Sequence, residues 1–295
     1  MLKRAIESCM AQSEPCEIVV IDDHSTKETA AIATQFQRVT YLRNDRNLGH
    51  PASVNLGIQA ARGSWIKHLD DDDFLRPDCL ARMTHAILRA RRQGYDPRIA
   101  TCVATNVDRL GKALSNTRTL PVSTPVIIKR EDLLAMMMCD QAPLGTPVQV
   151  AHDRRSALDV GGWNAERPIK VQRGEEVEAW IRLASQGDAV FLPEALCCRT
   201  RWAGNQMPPI EVERAISLYL KQKIAERIAG AANSEVPVDI VRYLDIHWGL
   251  VGLKRRNLQS GLRLVMSGMR APGSCRHLWA RSRFPDAMGC AYPLN

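Results

Sequence analysis

Four consecutive carboxylates, Asp70-Asp71-Asp72-Asp73, stand directly after the strand-like segment Ser64 to Leu69. Like charges this close repel one another unless water or a cation neutralises them, so such a cluster at a strand end suggests a metal site. If the extended backbone persists into the turn, side chains alternate: Asp70 and Asp72 project to one side, Asp71 and Asp73 to the other. The resulting D-x-D pair offers hard oxygen ligands. With few protein contacts, it suits Mg²⁺ or Mn²⁺ carried by a diphosphate whose own oxygens complete the octahedron. The alternative is a solvated acidic turn capping a helix that opens at Pro77. A second acidic pair, Asp22-Asp23, follows the run Glu17-Ile18-Val19-Val20-Ile21. Open parallel sheets place ligands at the carboxyl ends of their strands, where a carboxylate can accept hydrogen bonds from a nucleobase or ribose. A helix cap explains that pair equally well.

The elements that position these residues alternate. Leu2, Ile6, Cys9 and Met10 recur at helical spacing, and the β-branched run ending at Ile21 reads as a buried strand. A helix near 27–37, a strand over 38–42, a helix near 51–62 and a strand over 64–69 follow. Pro77 opens a helix with Leu80, Met83, Ile87 and Ala90 on one face, and 99–104 is the next strand. This alternation predicts βαβ units and a mostly parallel sheet flanked by helices. Residues 105–150 are less regular, with a hairpin around Leu110-Gly111-Lys112 and a helix near 131–138. Val177, Trp180, Ile181 and Ala184 mark a helical face, followed by a strand, Ala189 to Leu192, that Pro193 ends. Beyond Asn205 only helices are expected, near 210–229, 237–253 and 258–269. A boundary near 205 divides the chain into an α/β domain, 1–205, and a basic helical region, 206–295.

The order of segments resembles glycosyltransferase family 2, with its GT-A fold. The resemblance spans about residues 1–205. Its matching segments are Ala5-Ile6-Glu7-Ser8 with Ala11-Gln12, Glu17 to Ser25, Arg43-Asn44 with Asn47-Leu48-Gly49, Asn55-Leu56-Gly57-Ile58, and Leu69 to Asp73 with Pro77. Gly161-Gly162-Trp163-Asn164 and Gly174-Glu175-Glu176 resemble the family's acceptor-side segment. The resemblance implies an inverting, metal-dependent transfer of a sugar from a nucleotide-diphosphate donor to a hydroxyl of a saccharide or lipid-linked acceptor. It assigns the nucleotide-sugar to Asp22, Asp23, Asn47, Asn55, Asp70 and Asp71, the metal to Asp70 and Asp72, and the catalytic base to Glu176 with Glu175 beside it. Three departures stand out. Glu176 occupies the place of the family's usual aspartate, Trp202 stands where many members have a histidine that reaches the metal, and Met1 already lies at the first helix, where the family begins with an apolar strand and a Pro-x-Tyr-like turn. These departures motivate the rival reading of a non-catalytic nucleotide-sugar-binding remnant.

Composition narrows the remaining classes. The 295 residues, 45% apolar and 24% charged, fall in the range of globular proteins with room for two cores. No apolar run approaches the roughly 18 residues of a membrane span, and no signal-peptide pattern opens the chain, so a cytoplasmic protein is expected. The nine cysteines show no Cys-x-x-Cys pair and read as reduced thiols. The net charge of +8 is concentrated in residues 240–295, where nine Lys or Arg face only Asp245 and Asp286. That tail suits peripheral association with an anionic membrane, on its cytoplasmic face, or a solvated helical face. Without interleaved aromatics, nucleic acid ranks last.

Overall fold

The computed structural model describes residues 1–26, 28–166, 174–202, 208–269 and 291–294. Two compact units emerge. One comprises Met1–Leu133, Pro143–Ala203 and Ala291–Asn295; the other comprises Leu134–Ala142 and Gly204–Cys290.

The first unit opens with α1 (Leu2–Met10), β1 (Ile18–Asp22), α2 (Thr29–Ala33), β2 (Val39–Arg43), α3 (His50–Ala60) and β3 (Trp65–Lys67). A two-residue strand, β4 (Phe74–Leu75), precedes α4 (Cys79–Arg92) and the long β5 (Pro97–Val107). Next come β6 (Ala113–Asn116), β7 (Val126–Ile128), α5 (Arg130–Met138), which runs into the second unit, and β8 (Val150–Asp153). Finally α6 (Arg154–Asp159), α7 (Glu175–Ala184), β9 (Asp188–Thr200) and β10 (Ala291–Pro293) complete the unit. On α4 the buried side chains are Cys79, Met83, Ala86, Ile87 and Ala90, one stripe at helical spacing. Pro77 lies just before the N-cap Asp78 rather than inside the first turn.

The large sheet is mixed, not mostly parallel. Its path is β10-β7-β9-β5-β8-β3, with β4 beside β9 and β6 beside β5. Only β5 and β9 run parallel in it; β8 lies antiparallel to both β5 and β3, and β7 antiparallel to β9. The departure begins where the alternation of helix and strand lapses. The chain reverses through the Asp108–Lys112 turn into β6, and Asp108 holds that turn by accepting the Leu110 and Lys112 N–H groups. Strand β8 is reached from α5 through a single 3₁₀ turn, Pro147–Gln149, and runs back antiparallel to β5. Pro193 does not end β9. The pairing with β5 jumps from Cys102–Leu192 to Val103–Ala195, so Pro193 and Glu194 sit in a bulge, the place a strand tolerates a residue without an N–H.

Strands β1 and β2 pair only with each other, in parallel, as a separate two-stranded sheet. A cavity of about 940 Å³ is lined on one side by Ile18 to Ile21 of β1 and on another by Trp65 to Lys67 of β3. Ile6 of α1 and Met83 and Ile87 of α4 also face it. Voids larger than a water are few in a packed domain, and this one is bounded by the free sides of two strands.

The second unit holds α8 (Ile210–Ala229), α9 (Val238–Lys254) and α10 (Leu258–Met269). Its Lys221 is buried. The ammonium donates to the Met137 carbonyl and to Asp140 Oδ1, both at 2.6 Å. Helices α9 and α10 pack so closely that a Cβ on Gly261 would lie 2.8 Å from the Leu253 nitrogen. No helix among the described residues is long and apolar enough to cross a membrane.

Candidate active site

Residues Asp70 to Asp73 form a turn rather than a continued strand: the Asp73 N–H returns to the Asp70 carbonyl at 3.2 Å. The four carboxylates therefore diverge instead of alternating. Asp73 points inward and accepts the Thr200 N–H at 2.7 Å; its burial, together with Asp72 and Asp70 nearby, pushes its pKa up to about 7 against that bond. Asp72 is held at both ends. Its carbonyl accepts from Arg4 and from the Thr200 hydroxyl, and its Oδ2 accepts the indole N–H of Trp202. The Arg109 guanidinium covers the Trp202 ring at 4.2 Å. Where the resemblance led one to expect a missing histidine ligand, the indole occupies a carboxylate oxygen.

Asp70 faces His50, the first residue of α3. Its Oδ1 lies 3.9 Å from His50 Nε2, while His50 Nδ1 is 3.5 Å from Glu175 Oε1 at the start of α7. The imidazole thus joins two acidic segments far apart in the chain. Hydrogen bonding to Glu175 raises the His50 pKa despite partial desolvation, and Asp70 and Glu176 add to it. These carboxylates also offset the unfavourable end of the α3 dipole for a cation. Burial raises Asp70, His50 opposes that, and Asp72 and Asp71 raise it further. Arg199 of β9 lies within the field of Asp73, Glu176 and Asp70, which counters the burial that lowers its pKa. Glu175 is buried and Glu176 half-exposed, both favoured by the N-terminus of α7.

Among the described residues no three His, Cys, Asp or Glu side chains converge as a metal cage. Asp70 and Asp72 supply two carboxylates, one with an oxygen occupied by Trp202. They fit a hard cation only as partial ligands, with the remaining oxygens contributed by a diphosphate.

Asp22, Asp23 and their neighbours form a distinct polar cluster. Burial would raise Asp22, but it is held below the usual range because Tyr41 O–H donates at 2.6 Å and Ser25 N–H at 2.7 Å, with Arg43 at 3.3 Å. Asp23, likewise lowered against burial, accepts the Leu48 and Gly49 N–H groups and the Asn44 amide, each at 2.8 Å. It pins the loop that carries Asn47, whose side chain is exposed. Asn55 clamps the Trp163 backbone: it donates to the carbonyl at 2.8 Å and accepts the N–H at 2.7 Å. Adjacent Gly162 has φ +66°, and a Cβ there would fall 2.3 Å from Asn55 Oδ1, so only glycine fits. Asn55 thus holds the Trp163 main chain, while Asp23 holds the Leu48 and Gly49 N–H groups and the Asn44 side chain.

Beneath the site lies an aromatic floor that sequence reasoning missed. Trp163 and Trp180 meet edge to face at 5.6 Å, and His50 packs on Trp163 at 5.2 Å. His68 and His152 share an Nε2–Nε2 hydrogen bond of 2.7 Å. His152 Nδ1 is 3.2 Å from the Asp153 carbonyl and must donate to it, so His152 Nε2 accepts from His68. Burial keeps both neutral, driving His68 well down and His152 down to about 4. The available signals were weak: His50 follows Asn47-Leu48-Gly49 directly, but His68 and His152 become partners only through the β3–β8 pairing.

The sheet thus carries an acidic turn at a strand end that meets a helix-borne acidic pair across His50. Residues 1–133 match the family model described as glycosyl transferase family 2. The chain is 48% identical over 83 residues to the succinoglycan biosynthesis protein ExoO of Rhizobium meliloti (strain 1021), covering 27% of this chain and 24% of that protein. It is 31% identical over 141 residues to chondroitin synthase of Escherichia coli, covering 46% of this chain and 19% of that one. The chain therefore spans about a quarter or less of the length of these two relatives. Among solved structures, S. aureus TarS 1-349 in complex with UDP superposes with a TM-score of 0.60 at 16% identity, covering 88% of this chain and 71% of that one. The likeness to TarS establishes the GT-A-type fold.

Proposed function

We propose that the chain is an inverting glycosyltransferase that moves a sugar from a nucleoside-diphosphate donor to an acceptor hydroxyl. The observation that carries this reading is the meeting of Asp70 and Glu175 on His50, which brings the acidic turn and the acceptor-side acidic pair into one site. Glu176, half-exposed beside Glu175, is the proposed base that takes the acceptor proton as the hydroxyl attacks; such assistance contributes roughly 10²- to 10⁴-fold. Arg199 and His50 stabilise the negative charge that gathers on the departing diphosphate. Asp70 and Asp72 would hold a Mg²⁺ or Mn²⁺ ion, which when bound neutralises the same charge. Asp22 and Asp23 act on the nucleotide by fixing the walls of its pocket: Asp22 through Tyr41 and Arg43, Asp23 through the Asn44 to Gly49 loop. Asn47 and Asp71 remain the exposed polar groups proposed to contact the nucleotide-sugar.

The UDP held by TarS supports a uridine donor, and the names of ExoO and chondroitin synthase support a role in polysaccharide synthesis, for which we propose a saccharide or lipid-linked acceptor. We propose that the reaction takes place at the cytoplasmic face of a membrane, to which the basic C-terminal region would be drawn. The rival, a nucleotide-sugar-binding protein without transfer, is favoured by one contact, the Trp202 indole on Asp72. Screening nucleoside-diphosphate release over a panel of donors and acceptors separates the two. Release above background is expected with a UDP-sugar and divalent metal. Metal-dependent donor binding by calorimetry with no release under any pairing would support the rival. Unchanged metal-dependent binding in Asp72→Ala, folded by circular dichroism, would remove Asp72 from the site.

A further inference from the structure

Helix α10 carries two apolar faces. One, centred on Gly261 and Gly268, is buried against α9. The other is Leu258, Leu262, Met266 and Met269, which are 62%, 53%, 64% and 59% exposed. At about 100° per residue these four fall within about 80° of arc, beside a polar strip of Gln259, Arg263 and Ser267. Leu250, 55% exposed, extends the apolar surface onto α9 one turn before Lys254.

The charge around this stripe has one sign. From Ile246 to Met269 the chain carries Lys254, Arg255, Arg256 and Arg263 and no acidic residue. Lys254, Arg256 and Arg263 are exposed; the acidic groups beside α10 are Glu211, whose carboxyl Ser260 and Arg263 hold below its usual range, and Asp245, which is buried, accepts from Ser267 and is paired with Arg214. An exposed apolar stripe edged by cations is the pattern of a helix that lies in a membrane interface. A second copy of this chain is a poor occupant, since a two-fold contact would set the same cations against one another. Nucleic acid would leave the four apolar side chains in water.

We propose that α10 docks on an anionic lipid surface, with Leu258, Leu262, Met266 and Met269 in the boundary between headgroups and acyl chains and Lys254, Arg256 and Arg263 against the lipid phosphates. The inference sharpens the membrane placement given above from a general attraction to a specific inserting face, and it is independent of glycosyl transfer.

Co-sedimentation with phosphatidylcholine vesicles and with equimolar phosphatidylcholine–phosphatidylglycerol vesicles tests it. The full chain is expected to bind the anionic vesicles at least tenfold more tightly. Leu262→Glu combined with Met266→Glu should lower that binding at least tenfold with an unchanged thermal melt, because both side chains are already exposed; Leu262→Gln with Met266→Gln serves if the first pair perturbs folding. Lys254→Gln with Arg256→Gln should weaken binding and flatten its salt dependence. Anionic binding that survives the glutamate and glutamine pairs would overturn the inserting face while leaving simple electrostatic attraction. No preference for anionic vesicles would overturn both. A dimer in light scattering that the apolar substitutions dissolve would assign the stripe to self-association instead. Donor turnover with a soluble acceptor is unaffected in every arm, so the transferase reading stands or falls separately.

Discussion

Preceding Met1 with an apolar five-residue strand and a short turn should fill the cavity between β1 and β3. Five residues of extended chain span about 17 Å, the length of β1 itself. The cavity of about 940 Å³ runs along residues of both β1 and β3, so a strand of that length has space to enter between them. Five buried apolar side chains contribute about 1.5–3 kcal/mol each. Ordering five residues costs about 1.5 kcal/mol each. Ile6, Met83 and Ile87 are already shielded from water, so what remains to add is the pairing of the free sides of both strands, for a net gain of about 3–5 kcal/mol. For a chain of this size that corresponds to a rise of about 10 °C in Tm. Differential scanning calorimetry measures the shift, and hydrogen exchange locates it, with slower exchange expected at Ile18 to Ile21 and Trp65 to Lys67. A Gly/Ser extension of equal length is the control. Equal midpoints and unchanged exchange for the apolar and Gly/Ser versions would show that the two sheets do not accept a strand between them.

Glu176→Gln should retain donor binding and lose at least tenfold in transfer rate; if Glu175→Gln shows the larger fall in single-turnover kinetics, the base is Glu175. Asn55→Ala strands the N–H and carbonyl of Trp163 and should cost about 2–4 kcal/mol in urea unfolding; a loss below about 0.5 kcal/mol would mean that water replaces the clamp. His152 binds its proton more weakly folded than unfolded, so the unfolded chain takes up more protons as pH falls. Its contribution is intact above about pH 6.5 and is lost between there and about pH 4, amounting to about 3 kcal/mol. His152→Gln should flatten the stability profile in that window, and an unaltered slope would refute the neutral pairing.

The first hundred residues were legible because their signals are local. The β-branched run at Ile18 to Ile21, the stripe on α4 and the carboxylates after β3 each need only a few neighbours in sequence to be read. Legibility failed where geometry depends on distant partners. Pro193 looked like a strand end because its missing N–H counts against pairing, and only the offset with β5 shows that it sits in a bulge. The D-x-D alternation assumed an extended chain, whereas Asp73 turns inward to reach the Thr200 N–H. The contacts of Asp23 and Asn55 with the Leu48, Gly49 and Trp163 backbone could not be read, because a polar side chain in sequence does not disclose which backbone atoms will be near it. His50 acquired meaning only once α3 and α7 placed it between two carboxylates.

The Asn55 clamp on Trp163 has a mechanical consequence. Helix α3 begins with His50, which reaches the acidic turn, and its sixth residue grips the loop whose tryptophan lies under that same histidine. The acidic turn and the Trp163 loop are therefore joined through α3, by the Asn55 carboxamide and by His50, rather than suspended independently. A displacement of α3 would carry the tryptophan loop with it.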